Sequence, residues 1–166
     1  MIETDRLRGE PIAEHHDDAM LDLLGDERVG ATMGGVLTPA RVAALRTTMV
    51  EHWERHGFGY WVWFDRATGA CVGRGGLSRK HVGGRDEVEV GWAVMPDRWG
   101  EGFATEIGAA SVGHAFSALG LDDVVAYTLP TNLASRRVME KLGFEYERDI
   151  VYAEMPHVLY RLWAGG

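Results

Sequence analysis

Apolar positions along this chain fall into two rhythms, a period near two and a period near 3.6. Residues 4–10 open with a short alternating stretch that predicts a first strand. Over residues 14–25, Met20, Leu21, Leu23 and Leu24 recur at helical spacing, and Gly25 supplies a stop. Thr38 followed by Pro39 is an N-cap with proline in the first turn. Val42, Leu45, Met49, Val50 and Trp53 then carry a second helix to Gly57. Tyr60-Trp61-Val62-Trp63-Phe64 is rich in strand formers, residues 65–69 supply turn chemistry, and residues 70–73 resume an extended chain, so a hairpin is predicted. Over residues 86–95, Val88, Val90, Trp92 and Val94 alternate with Glu87 and Glu89 on the opposite face, and Pro96 ends the strand.

A glycine-rich turn leads to a predicted helix over 102–119, closed by Gly120. A strand over 123–129 and a helix over 132–142, closed by Gly143, follow. Strands over 144–155 and 158–163, with a turn at Pro156, finish the chain. The order is β-α-α-β-β-β-α-β-α-β-β. It predicts an α+β architecture in one domain, 1–166, with a mixed, mostly antiparallel sheet of about seven strands and about four helices. Glycine-rich residues 29–37 read as a mobile loop beside the first two helices.

Composition narrows the function classes. No apolar run approaches the roughly 18 residues a spanning helix needs, and the first residues lack the pattern of a secretory signal. The lone Cys71 lies in an apolar stretch, where it reads as packing, and it fits a reducing, cytoplasmic setting. A formal net charge of −8 argues against nucleic acid and anionic membrane as partners, and mildly favours cationic ones. An anionic ligand would therefore need a local anchor of opposite sign.

One segment offers such an anchor. Val90 to Val94 reads as a strand, Trp99-Gly100-Glu101-Gly102 as a turn, and Phe103-Ala104-Thr105-Glu106 as the start of a helix. Unpaired N–H groups and the positive end of the helix dipole meet there, and the two glycines leave room for a phosphate to approach the backbone. A plain strand-to-helix turn would use the same glycines. A dinucleotide fingerprint lacks its third glycine, and no Gly-Lys-Ser/Thr follows for a nucleotide-triphosphate loop.

The turn resembles the acyl-CoA pyrophosphate loop of the GNAT superfamily of N-acyltransferases, with Trp99 at a position usually Gln or Arg. The form Trp-Gly-x-Gly-Phe-Ala-Thr-Glu is similar to the branch that acetylates ribosomal-protein N-termini. Glu3-Thr4-Asp5-Arg6-Leu7-Arg8 resembles the opening strand of that branch. The stretch from Asn132 to Phe144, with Ser135 and Lys141-Leu142-Gly143-Phe144, resembles its Asn-x-x-Ser…Lys-Leu-Gly-Phe helix.

The resemblance implies the GNAT fold and acetyl-CoA as co-substrate, without a metal, for transfer to an amine of a peptide N-terminus or small molecule. It implies pantetheine against Trp92, Ala93 and Val94, and pyrophosphate on Trp99, Gly100, Glu101, Gly102, Phe103, Ala104 and Thr105. Asn132 would bond the pantetheine arm, although an N-cap is its other reading, and Ser135 would sit beside the sulfur. Met139 stands where many relatives have a tyrosine, and a thioether cannot donate a proton. A non-catalytic acyl-CoA sensor therefore stays open as a rival. At pH 7 a terminal amine is about a tenth neutral and a lysine under about a thousandth, so a terminal amine needs only a weak base. Glu89, then Glu87, are the candidates, or else solvated strand positions that orient the substrate. His15-His16 beside Asp17-Asp18 reads as a helix face rather than a metal site. Trp53, Phe58, Tyr60, Trp61 and Trp63 read mostly as core, with some lining the acceptor cleft. The protein is expected to be a monomer or homodimer.

Overall fold

The computed structural model describes residues 1–166. Its eight strands are β1 (Ile2–Glu3), β2 (Leu7–Pro11), β3 (Tyr60–Asp65), β4 (Cys71–Val82), β5 (Arg85–Val94), β6 (Asp123–Thr128), β7 (Glu145–Tyr152) and β8 (Met155–Trp163). They form one sheet in the order β1-β2-β3-β4-β5-β6-β8-β7. Every neighbouring pair is antiparallel except β5 with β6. Five helices flank the sheet: α1 (Asp17–Leu24), α2 (Glu27–Met33), α3 (Pro39–His56), α4 (Phe103–Gly113) and α5 (Leu133–Lys141).

The α+β layering follows the predicted order, with one strand and one helix more than expected. Each difference has a local cause. Thr4 N–H donates to Leu7 C=O at 2.9 Å and Leu7 N–H to Thr4 Oγ1 at 3.0 Å, so residues 4–6 of the expected opening strand are a tight turn, and Ile2–Glu3 before it pairs back on β2 as the extra strand. Asp26 accepts from Arg28 N–H at 2.8 Å and caps α2, so much of the expected mobile loop at 29–37 is helix. Strand β4 runs nine residues beyond Gly73, because its glycines mark close approach rather than a turn. A Cβ at Gly73 would stand 2.1 Å from Ala93 O, and one at Gly75 would stand 2.4 Å from the Ile107 side chain. The last hairpin turns at Ala153 and Glu154, with φ of 49° and 62°, while Pro156 lies inside β8 opposite Val151. Two positive φ values make a primed turn, usually written Asn-Gly, so Ala-Glu gave no signal.

Both faces of the sheet are covered. Trp61, Trp63, Val72, Val94, Phe103 and Ile107 pack together under α4, and Leu77, Val90, Met139 and Phe144 continue that core towards α5. On the other face, Met20, Leu23, Val42, Val62 and Ala93 lie under α1, α2 and α3. Trp61 and Trp63 are fully buried, and Trp53 donates its indole N–H to Tyr60 C=O at 2.8 Å. Cys71 is half-buried, and burial pushes its thiol up to about 11, as expected of a packing cysteine.

The weakest seam is β5 with β6, where Glu89 opposite Val125 is the single registered pair. Below that pair, buried Arg161 on β8 bonds Glu87 on β5 at 2.7 and 3.0 Å, and Glu147 on β7 at 2.8 and 3.2 Å. It also contacts Asp123 on β6. One guanidinium thus ties four neighbouring strands. The hydrogen bonds from Arg161, and then its charge, hold the Glu147 carboxyl below the usual range. A depressed folded pKa gives stability that is present at neutral pH and lost as pH falls through it. Arg161→Met leaves three carboxylates facing one another, so thermal melts at pH 7 should show a loss of about 3–5 kcal/mol. The gap from the native protein should narrow towards pH 4, as protonation removes both the attraction and the repulsion.

Candidate functional site

Above the Glu89–Val125 pair, β5 and β6 diverge and leave a cleft of about 790 Å³. That volume suits a cofactor-sized ligand. Met95 N–H donates to Val72 C=O at 2.8 Å. By the alternation of an antiparallel ladder, the backbone groups of Trp92 and Val94 then point away from β4 and into the gap. The Val94 carbonyl already accepts the Trp99 indole N–H at 2.8 Å. That bond gives Trp99 a positioning role at a place where Gln or Arg is usual. Ala93 spends its own backbone on β4 and presents its side chain to the face carrying α1–α3.

The turn after β5 is built for a bare helix terminus. Gly100 and Gly102 have φ of +80° and +82°, and Gly102 is the N-cap of α4 with no side chain to bond the first turn. The N–H groups of Phe103, Ala104 and Thr105 therefore have no intrahelical acceptor. A Cβ at Gly100 would meet nothing within 4 Å, so the space in front of the loop is open. Arg6 donates to Glu101 C=O at 2.9 Å, and Arg98 holds the Glu101 carboxylate at 2.8 Å. Both guanidiniums stack on Phe103, at 4.2 and 4.7 Å from its ring centre. Glu101 accordingly shapes the loop while its side chain stays out of the cleft.

At the far wall, Asn132 Oδ1 accepts Ser135 N–H at 3.2 Å, and its Nδ2 donates to Thr128 Oγ1 at 3.0 Å. The N-cap reading of Asn132 is thus the bond present. Ser135 is half-buried on the cleft wall. Met139 is 1% exposed and packs in the core beside it.

The two glutamates part company. Glu89 lies at the cleft floor, deep among protein atoms yet still reached by solvent, with the Tyr60 hydroxyl 3.5 Å from its Oε2 and Tyr127 alongside. Burial pushes its carboxyl above the usual range, against the pull of Lys80 and Arg74. Burial first, then the Glu89 charge, pushes the Tyr60 and Tyr127 phenols up as well, so both stay protonated donors. Glu87, expected as the second candidate base, does not reach the cleft. Its carboxylate is committed to Arg161. Sharing a strand face did not place both at the acceptor, because the junction closes over Glu87 and opens only beyond Glu89.

His52 also lines the cleft, but both its nitrogens are used. Nε2 accepts Arg79 N–H at 2.9 Å, so Nδ1 carries the proton and donates to Phe58 C=O at 2.9 Å. His15, His16 and Glu10 lie together, with ligand-type atoms within 4.8 Å. There His16 Nδ1 accepts Ala13 N–H at 3.0 Å, so its Nε2 carries the proton and faces Glu10 at 3.2 Å. That pair caps a turn rather than presenting lone pairs to a metal.

Sequence reasoning missed the cleft's charge. Arg55, Arg74, Arg79 and Lys80 line its acceptor half against Glu51 and Glu89, a local sign opposite to the net −8 of the chain. Arg74 stands within Gly73-Arg74-Gly75-Gly76, all buried. A lone charge in a run of strand glycines was the available signal.

An Acetyltransferase (GNAT) domain model matches residues 6–145. The uncharacterized N-acetyltransferase YoaA of Bacillus subtilis is 29% identical over 153 residues, which cover 89% of this chain and 84% of that protein. The FsC-acetyl coenzyme A-N(2)-transacetylase of Aspergillus fumigatus is 30% identical over 154 residues, 87% of this chain and 65% of that one. Among solved structures, a GnaT-family acetyltransferase of Bordetella pertussis superposes with a TM-score of 0.84 at 26% identity, covering 96% of this chain and 97% of the other. The ribosomal-protein-S5-alanine acetyltransferase of Vibrio fischeri shares the fold at a TM-score of 0.77 and 18% identity, over 99% and 96% of the two chains. With its fold, its splayed parallel strands and a family model matched over most of its length, the chain belongs to the GNAT family of acetyltransferases.

Proposed function

We propose that this chain, acting as one domain over residues 1–166, moves an acetyl group directly from acetyl-CoA to a primary amine, with Glu89 as base. The observation that carries this reading is a carboxylate raised by burial at the floor of a cleft whose opposite end is a bare helix N-terminus. Such a group accepts a proton nearer neutral pH than an exposed carboxylate does.

Bound acetyl-CoA supplies an activated acyl thioester. The N–H groups of Phe103, Ala104 and Thr105, with Gly100 and Gly102, receive the pyrophosphate, while Trp92 and Val94 pair with the pantetheine amides as a neighbouring strand would. Trp99 holds the edge of that strand, and Asn132 offers its remaining N–H to the same arm. Glu89 takes the amine proton as the new nitrogen–carbon bond forms and the carbon–sulfur bond breaks. Ser135 or water returns a proton to the departing thiolate. Tyr60 and Tyr127 fix the Glu89 carboxylate. Glu87 has no part in the proton transfer.

The acceptor is a peptide N-terminus or a small amine. Resemblance of the 99–106 and 132–144 motifs to the ribosomal-protein branch supports the first, while the position of Arg74 favours the second. The lone cysteine suits a reducing, cytoplasmic setting, and we take the protein as a monomer or homodimer. A purely acyl-CoA-sensing role would bind without turnover, so thiol release over a broad amine panel separates the two. Release above background hydrolysis is expected, and none with any amine would favour the sensor.

Gly102→Val should force a branched side chain onto a positive φ beside the Arg6 guanidinium that braces the loop, and so distort the turn that presents the first N–H groups of α4. Calorimetry should show acetyl-CoA affinity reduced tenfold or more, about 1.4 kcal/mol. Unchanged binding in a folded variant would remove the loop assignment. Glu89→Gln should lower kcat about a hundredfold at neutral pH with little change in acetyl-CoA affinity. Because burial raises the Glu89 pKa, the kcat/KM profile should carry a Glu89 limb above the ordinary carboxylate range that is missing in the variant, while the limb set by the amine's own protonation remains in both. A raised folded pKa also means that native stability falls as pH rises. Glu89→Gln should therefore melt no lower than the native protein at pH 8. A raised KM with surviving kcat would instead make Glu89 a substrate-orienting group.

A further inference from the structure

Two arginines in this protein are equally buried, and they live in opposite surroundings. Arg161 and Arg74 are each 7% exposed. Arg161 faces Glu87, Asp123 and Glu147. Arg74 has no carboxylate within ion-pairing distance, and its Nε has no hydrogen-bond partner. Its close companion is the Tyr60 ring, 5.0 Å from the guanidinium carbon. A buried guanidinium keeps its charge and is costly to hold in the interior without a counter-charge. The side chain lines the cleft rather than a sealed pocket, so a ligand can supply what the chain does not.

The strand register fixes what kind of ligand that is. Arg74 lies opposite Ala93 and Ser78 opposite Glu89, so Arg74 and Glu89 project from the same sheet face four residues apart along β5, about 13 Å between backbone positions. Their side chains converge over Tyr60, whose ring lies under Arg74 and whose hydroxyl lies 3.5 Å from Glu89. A nitrogen at Glu89 and an anion at Arg74 are therefore within the span of one small molecule. Arg55, Arg79 and Lys80 line the same half and add positive potential.

We infer that the acceptor is a small amine that itself carries a carboxylate or phosphate, and that Arg74 receives this anionic group through its planar fork. Polycationic amines are disfavoured by the same charges. This inference rests on the acetyl-transfer reading, and it specifies the acceptor class for that site.

The test uses matched pairs that differ in the anionic group: β-alanine with β-alaninamide, phenylalanine with phenylalaninamide, and O-phosphoethanolamine with ethanolamine. Binding is read by calorimetry on the CoA-saturated protein, and turnover by thiol release with acetyl-CoA. The native protein should favour the anionic member of at least one pair tenfold or more in affinity, and the responding pair tells carboxylate from phosphate. Taking each preference as a ratio between native and variant protein cancels the different amine basicities within a pair. Arg74→Gln should collapse the preference towards unity, and Arg74→Lys should retain part of it, having charge without the fork. Arg74→Met should melt at or above the native temperature, whereas a group needed only for packing on Tyr60 would lower it.

Anionic preference in binding with no thiol release from any amine would end the transfer reading and the acceptor assignment with it, leaving Arg74 as the anion-binding group of a ligand site. Thiol release with no anionic preference would keep the transfer reading and overturn the inference. So would a preference that survives in Arg74→Gln, or no preference in either measurement. The deciding quantity is the preference of the native protein divided by that of Arg74→Gln, and a ratio near one for all three pairs overturns the inference.

Discussion

Between β5 and β6 the sheet is held by one registered pair and by a guanidinium reaching across four strands. Parallel strands that continued in register would fill the molecule's centre with ladder hydrogen bonds and leave no room for a ligand. Here the ladder stops after Glu89 and Val125, and the two halves of the sheet part. On the closed side lie Arg161 and its carboxylates. On the open side lie the free edge of β5, the glycine turn and the start of α4. The site residues owe their positions to which side of that pair they occupy, and two residues along one strand separate a structural glutamate from a candidate base.

Charge is distributed by the same logic. The chain carries −8 overall, yet its cleft is lined on the acceptor side by more cations than anions, and at the cofactor end by backbone N–H groups. A helix terminus holds phosphate without altering net charge and needs no long flexible side chain to be ordered. Arg6 and Arg98, the two arginines nearest that terminus, brace the loop through Glu101, Glu106 and Asp65. Positive side chains near an anion site here set backbone shape, while a more distant one, Arg74, is left without a counter-ion.

Much of the fold was legible because the apolar periods were clean. The α3 helix from its Thr38-Pro39 start to Gly57, the Val88–Val94 alternation and the loop from Trp99 to Glu106 all lie where pattern reasoning put them. The failures share a cause. Glycines in β4 looked like punctuation, although they mark packing too close for a Cβ, which only the neighbouring strand and helix reveal. Helix α2 was hidden by Gly30 and by the glycines after it, despite an Asp26 cap. Glu87 and Glu89 share a face, and no pattern within β5 says where its neighbour departs. Arg74 pointed to nothing on its own, since an unpaired charge can be recognised only once all potential partners have been placed.

The gap between β5 and β6 has a consequence for how the molecule comes apart. On one side stand five strands with four helices. On the other, β6, β8 and β7 stand with α5, joined to the first body by one backbone rung, by Arg161, and by the core that runs from Leu77 and Val90 to Met139 and Phe144. On the proposed binding mode, a ligand arm that hydrogen-bonds Trp92 and Val94 while resting on α5 would stand in for the rung-bearing strand that the polypeptide omits. Cooperativity is then borrowed from outside the chain. Above the last rung, the chain itself couples the two bodies through side-chain packing and not through backbone bonds. With the gap filled in that way, opening one body would also break hydrogen bonds to the ligand shared with the other.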